Sequence, residues 1–354
     1  MKLRLLVFIV ASFTAFSCGG GQNQPGSNAK PADPNKKIKI GFSMATVKEE
    51  RWQRDKEAFE AHCKKIGVEC VIQVADNNSD RQANDVDNLL TQNIDVLVIA
   101  PQNATQAASL VDKAKAQNVP VISYDRLIDS EKIDLYISHQ VPVIGRKIAE
   151  YALAKAPKGN YVMVYGSKTD NNASIMEKEQ LAVLKPAIDR GDIKIVADQF
   201  IPDWKPELAL NFAENALTQH NDDIKAFVVS NDGMAGGVVS ALGKKGLRGI
   251  LVTGQDAQLD ALQRIAEGKQ SMTVYKAIIP LASGAVDAAV KLAKKEQFTT
   301  TPFKNVNGKE VPAILLEVVT VDKDNLMTTV IQDGYAKFED VYKNVPENER
   351  PKRP

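Results

Sequence analysis

Histidine, cysteine and tryptophan are scarce in this 354-residue chain, and each scarcity removes a class of function. The three histidines, His62, His139 and His220, are scattered without metal-ligand spacing, so no metal site is expected. No Gly-x-Ser-x-Gly elbow provides a nucleophile, no Gly-x-Gly-x-x-Gly follows the first predicted strand, and no P-loop is present. The sequence therefore offers no hydrolase triad and no phosphate cradle, and we expect neither an enzyme nor a cofactor. Asp322-Lys323-Asp324-Asn325 lacks the remaining ligands of a calcium loop and reads as a turn. Excess charge of one sign is also missing. The formal net charge is +1, and the first seventeen residues carry Lys2 and Arg4 with no acid, so the rest sums to −1. Such a balance gives no basic field for nucleic acid and suits a small, uncharged ligand.

One apolar run stands at the amino terminus. Lys2 and Arg4 precede Leu5–Ala11, which is too short to span a bilayer, and small residues lead to Cys18. We expect residues 1–17 to be an export signal, Cys18 to be lipidated, and residues 18–36 to be a flexible tether rich in Gly, Asn, Pro and Ser. An ordinary secretory signal cut nearby, leaving a free Cys18, is the alternative. Export places the protein in the periplasm or at the cell surface, touching membrane only through its anchor. The other cysteines, Cys63 and Cys70, read as a helix end and a mid-strand residue. They are either disulfide-bonded, as export permits, or buried as small apolar side chains, and the second reading is the simpler.

From residue 37 the pattern alternates short β-branched runs with helical ones, the signature of βαβ units and parallel sheets. Strands are expected at 38–42, 68–74, 96–100, 119–123 and 135–138, and the rhythm restarts with strands at 160–165, 193–200, 225–230, 249–254 and 271–275. The expected fold class is α/β: two doubly wound parallel-sheet lobes joined by a multi-strand hinge. The first lobe comprises 37–138 plus 279–319, and the second 139–277 plus 322–345. Residues 297–309 are expected to be a loop, and the charged, proline-rich 346–354 a disordered tail.

Several apolar runs end at residues suited to gripping a sugar: Arg51-Trp52, Asp125-Arg126, Asp170-Asn171-Asn172, Asn231-Asp232, Gln255-Asp256 and Lys276. Ligands of open α/β sheets sit outside the carboxyl ends of the strands. Asp accepts only, Arg and Lys donate only, and Asn does both, which matches a rim of hydroxyls. Tryptophan supplies a flat apolar face with one N–H. Both tryptophans, Trp52 and Trp204, fall in predicted strand-to-helix loops. Single residues such as Asp232 also suit a helix cap.

Ten segments carry a resemblance through their order and spacing. They are Glu50-Arg51-Trp52-Gln53, Asp95-Val96-Leu97-Val98-Ile99, Tyr124-Asp125-Arg126, Asp134-Leu135-Tyr136-Ile137-Ser138, Gly159-Asn160-Tyr161, Asp170-Asn171-Asn172-Ala173, Val183-Leu184-Lys185-Pro186, Ser230-Asn231-Asp232, Gly254-Gln255-Asp256-Ala257 and Met272-Thr273-Val274-Tyr275-Lys276. From Lys37 to Tyr335 the chain resembles the periplasmic sugar-binding proteins of ABC importers, the ribose/galactose/xylose group with type I folds, and most of all its xylose branch. The resemblance implies ligand contacts at Arg51, Asp125, Arg126, Asp170, Asn172, Trp204, Asn231, Asp256 and Lys276, with Trp52 as an aromatic wall. It implies a monosaccharide ligand, D-xylose first, and a permease partner, with a glucose- or other-sugar receptor for a chemoreceptor or sensor kinase as the alternative. Two departures stand out: His139-Gln140 where the group commonly has Asp-Asn, and Ala277 where close members have Pro. Sugar-responsive repressors share the two-lobe core, but here only a signal and a tether precede it.

Overall fold

The computed structural model describes residues 37–305 and 307–353. The expected signal 1–17, Cys18 and the tether 18–36 lie outside the described residues.

The first lobe opens with β1 (Lys39–Met44), α1 (Glu50–Ile66), β2 (Glu69–Val74), α2 (Ser79–Thr91), β3 (Val96–Ala100), α3 (Ala107–Ala116), β4 (Val121–Tyr124) and β5 (Leu135–His139). Every residue of β3, β4 and β5 is buried, as parallel strands covered on both faces must be. Helices end where the sequence supplies stops. Gly67 takes φ 77° and donates its N–H to the Cys63 carbonyl, closing α1, and the Asn78 side chain accepts from the Arg81 N–H at 2.8 Å to open α2.

The chain then leaves for the second lobe with α4 (Val141–Lys155), β6 (Gly159–Tyr165), α5 (Asn171–Asp189), β7 (Ile193–Phe200), α6 (Pro206–Gln219), β8 (Ala226–Val229), α7 (Asp232–Lys244), β9 (Leu251–Val252), α8 (Leu259–Ala266) and β10 (Met272–Tyr275). Its sheet runs β7-β6-β8-β9, all parallel. Helix α9 (Ile278–Ala293) returns to the first lobe, where Leu281, Ala285 and Val286 pack with Phe42, Phe59 and Val98. Strands β11 (Thr301–Lys304) and β12 (Glu310–Leu316) then complete a seven-stranded sheet ordered β11-β12-β5-β4-β3-β1-β2. Finally β13 (Val319–Asp322) pairs antiparallel with β10, and α10 (Phe338–Val341) joins a small cluster around Leu262 and Val330.

The fold is thus two α/β lobes joined by three crossings, after β5, after β10 and after β12. Neighbouring crossings are tied together. The His139 ring Nε2 meets the Ala277 carbonyl at 3.3 Å, and the Gln140 N–H donates to the Leu316 carbonyl at 3.0 Å. The third crossing falls between Leu316 and Val319, slightly earlier than the sequence suggests, because Val319–Asp322 is claimed by β10.

Other expectations change. The segment 297–309 is not simply a loop, since Thr301–Lys304 pairs with Glu310–Ala313. Pro302 hides this strand from local propensity, yet proline is tolerated on an edge. The expected strand 249–254 shrinks to Leu251–Val252. The expected disordered tail contains a turn at Glu347–Glu349, and the Arg350 Nε donates to the Val345 carbonyl at 2.7 Å. Cys63 and Cys70 form a disulfide rather than two free apolar side chains, because the αL turn at Gly67 brings their Cα atoms to 6.2 Å.

Candidate functional site

The carboxyl ends of the strands in both lobes face one cleft. The ten residues to which the resemblance assigns ligand contacts or the aromatic wall line a single cavity there, together with Glu49 and Gln255, whereas the strand-end residues Asn171 and Asp232 do not. The cavity is tight, about 30 Å³.

Each lobe contributes through the turn after a strand. Asp125 and Arg126 follow β4, and Asp125 takes φ 58°. Its carbonyl accepts from the Ser138 hydroxyl at 2.7 Å and the Tyr136 hydroxyl at 3.1 Å, which hold the turn in place. Asp256 follows the β9 segment at φ 102°, and its carbonyl accepts from the Tyr335 hydroxyl at 3.2 Å. Trp204 ends a short turn with φ 57° and packs on Gly166. Positive φ is uncommon for residues other than glycine, and such backbone persists only where surrounding contacts impose it. Trp52 and Arg51 sit in the first turn of α1 and not in the loop before it.

The cavity wall is built from paired charges. The Arg51 Nη1 donates to the Asp125 carboxylate at 2.8 Å, while its Nε and Nη2 hold Asp55 at 3.0 and 2.9 Å. Arg126 Nε lies 2.8 Å from Asp170, and Lys276 Nζ lies 2.9 Å from Asp256 and 3.7 Å from Asp125. All six charged groups of these cavity pairs are nearly fully buried. Burial alone would raise the Asp125 carboxyl, but Arg51 and Lys276 more than offset it and hold it well below the usual range. Burial dominates at Asp170 and pushes its carboxyl up against the pull of Arg126. Asp170 also caps α5 by accepting from the Asn172 N–H at 2.9 Å, so capping and cavity lining coexist in one side chain.

The lobes meet directly at the site. Asn172, from the second lobe, donates its Nδ2 to the Asp125 carbonyl of the first at 3.1 Å. Around the rim, Gln102 Nε2 reaches Asp203 at 2.9 Å, and Asn171 Nδ2 reaches the Leu127 carbonyl at 2.9 Å and Asp129 at 2.6 Å. The Ala104 N–H donates to the Thr169 carbonyl at 3.0 Å, and the Leu259 N–H donates to Glu50 at 3.0 Å. These bonds make the described conformation a closed one.

Five lining atoms are buried without a hydrogen-bond partner among the described residues: Asn172 Oδ1, Trp204 Nε1, Gln255 Oε1, Glu49 Oε2 and Asp256 Oδ1, the last of which is ion-paired with Lys276. Four accept and one donates, a set complementary to hydroxyl groups. Trp52 lines the cavity, yet Arg51 and Arg126 lie over its ring at 4.3 and 5.1 Å, so it serves the cations as well as any ligand.

Asp232 and His139 sit behind the wall. Asn231 is the cap of α7, accepting from the Met234 N–H at 2.9 Å, and the neighbouring Asp232 is not. Asp232 is buried and accepts from Gln270, Thr273 and the Gln258 N–H at 2.8, 2.8 and 3.0 Å, fastening the β8, β9 and β10 ends together. Burial and then Asp256 push its carboxyl up to about 8. His139 is buried at the first crossing, and burial and then Lys276 hold it down to about 3. Sequence reasoning missed Glu49 and Asp55 as parts of the site, and it named Gln255 at a strand end without carrying it into the contacts that the resemblance implies. Glu49 reads as one more acid at a helix start, and Asp55 as a solvated helix position, until the fold places both.

Comparison with known proteins gives this arrangement its context. Residues 40–297 match the family model described as a periplasmic binding protein domain. The D-xylose-binding periplasmic protein of Haemophilus influenzae is 40% identical over 344 residues, covering 97% of this chain and 100% of that protein. The protein of the same description from Escherichia coli is 40% identical over 303 residues, covering 85% and 92%. Among solved structures, a carbohydrate transporter solute-binding protein from Chloroflexus aurantiacus in complex with D-glucose superposes with a TM-score of 0.81 at 31% identity, covering 86% of this chain and 98% of that one. The chain belongs to the periplasmic binding protein family, with the two-lobed type I fold.

Proposed function

We propose that this protein is the sugar-binding receptor of an ABC importer, holding one monosaccharide, D-xylose first, between its lobes and delivering it to a membrane permease. The observation that carries the reading is the enclosed cavity of paired charges and tryptophans contributed by both lobes. Asp125, Asp170 and Asp256 are each oriented by a cation, so their remaining lone pairs accept sugar hydroxyls, and Asn172 and Gln255 add amide acceptors. Asn231 and Lys276 add polar contacts on the second lobe, and Trp52 and Trp204 offer apolar surface to the ring's C–H faces. The 40% identity to two proteins named as D-xylose-binding supports xylose.

Contacts from both lobes mean that sugar binds the closed state better and shifts the population toward it about the three crossings. Each hydroxyl left unmatched in the closed cavity costs roughly 1–3 kcal/mol, about ten- to a hundredfold in affinity. No covalent step is required. Lipidation at Cys18 would hold the receptor at a membrane, and labelling with radioactive palmitate, abolished in Cys18→Ala, tests it.

Calorimetry with xylose, glucose, ribose and arabinose tests the ligand. Xylose is expected to bind tightest, and saturable binding of none of the four would end the reading. Glucose is the second candidate, because two neighbours with TM-scores of 0.81 and 0.79 hold D-glucose and β-D-glucose.

A further inference from the structure

Three of the four carboxylates lining the cavity have a cation within 3 Å: Asp125 has Arg51, Asp170 has Arg126, and Asp256 has Lys276. Glu49 is the fourth and has no ion pair among the described residues. It precedes α1 at the helix cap position, but its side chain makes no capping bond. Its Oε2 is buried and has no hydrogen-bond partner among the described residues. Leaving a carboxylate oxygen buried and unsatisfied costs free energy, so the position is explained by something other than stability. Burial pushes the carboxyl up, opposed by Arg126.

Glu49 also occupies a boundary. It and Trp204 line both the small cavity and a larger space of about 580 Å³ at the cleft mouth. A hydroxyl meeting Glu49 therefore belongs to the edge of the ring nearest the mouth. The paired carboxylates are already polarised by their cations, whereas the Glu49 Oε2 meets no donor among the described residues. Its recognition of a hydroxyl is correspondingly charge-assisted and is not shared with a protein donor.

We propose that Glu49 is a specificity-determining residue, accepting a hydrogen bond from one hydroxyl at the mouth-facing edge of the bound sugar. This inference rests on the receptor reading above. It adds a residue that neither the strand-end pattern nor the resemblance selects.

The test is a cycle between one side chain and one ligand group. Calorimetry would measure D-xylose, its 2-, 3- and 4-deoxy analogues and methyl xyloside on the wild type, Glu49→Ala and Glu49→Gln. At least one analogue should bind the wild type about tenfold more weakly than xylose, by loss of a matched hydroxyl. In Glu49→Ala that gap should shrink to about twofold or less for one position only, with the other gaps unchanged. Gaps identical to those of the wild type at every position, or undiminished xylose affinity in the variant, would overturn the proposal. If Glu49→Ala fails to fold by circular dichroism, Glu49→Gln keeps the shape and must narrow the same single gap. A wild type that binds none of these sugars refutes the receptor reading itself, a result distinct from tight xylose binding with unaltered gaps.

Discussion

The indole of Trp204 lies so close to Gly166 that a Cβ on that glycine would stand 2.1 Å from Cη2 and 2.2 Å from Cζ2. Real side chains do not pack at such distances, so the absence of a methyl group at the end of β6 is what lets the tryptophan enter the cavity wall. Gly166→Ala should push the ring toward the cleft. Sugar affinity is expected to fall at least tenfold, with a stability loss of about 1–3 kcal/mol from overpacking. Calorimetry and denaturant melts measure the two separately, and an unchanged affinity would show that Trp204 does not shape the site.

Asp256→Ala and Arg126→Ala should each weaken sugar binding by at least about tenfold, as loss of a charge-assisted hydrogen bond in a closed cavity implies. Arg126→Ala also strands Asp170 as a buried charge, and Asp256→Ala leaves Lys276 only the more distant Asp125 at 3.7 Å. The thermal midpoint should therefore fall in the sugar-free protein as well. Affinity unchanged in both variants would mean the ligand sits elsewhere.

The rim bond from Asn171 to Leu127 and Asp129 joins the two lobes without lining the cavity. Asn171→Ala should leave the sugar contacts intact and destabilise only the closed state. A typical net hydrogen bond of roughly 0.5–1.5 kcal/mol predicts a two- to tenfold loss of affinity. Small-angle scattering without sugar should show a larger radius of gyration than the wild type. A variant as compact and as tight as the wild type would remove this latch from the account.

His139 sets a pH dependence. Its folded value of about 3 lies below the ordinary 6.5, from burial first and the Lys276 cation second, with Asp125 opposing and Arg51 adding to Lys276. Below pH 6.5 the unfolded chain takes up a proton that the folded chain refuses until about pH 3. This contribution to stability is thus full above pH 6.5 and declines as pH falls toward 3, by at most roughly 5 kcal/mol. Urea melts across that range should show a shallower slope in His139→Asn than in the wild type. Equal slopes would assign the acid sensitivity to other groups.

Much of this molecule was legible in one dimension. The runs Val96–Ala100 and Val121–Ile122 announce strands buried on both faces, and the restart of the βα rhythm announces a second lobe. Arg51, Asp125, Arg126, Asp170, Asn172, Trp204, Asn231, Asp256 and Lys276 were identifiable because a parallel sheet delivers the residue after each strand to one edge. The edge strand at Thr301–Lys304 was not legible, since Pro302 argues locally against it and only pairing with β12 creates it. The disulfide was undecidable for a similar reason: two cysteines seven positions apart are bridgeable or not according to the turn between them.

What the order of amino acids determined by itself was the inventory: two lobes' worth of strands, the turn residues at their ends, and polar and aromatic groups suited to a hydroxyl-bearing ring. Those are properties of short segments and of periodicity, which local chemistry controls. Which acid is matched with which cation, and that the Glu49 Oε2 is left with no hydrogen-bond partner among the described residues, was decided only when residues 20, 44 and 74 positions apart were brought within 4 Å. Electrostatic pairing depends on distance through space, and no pattern along the chain encodes that distance.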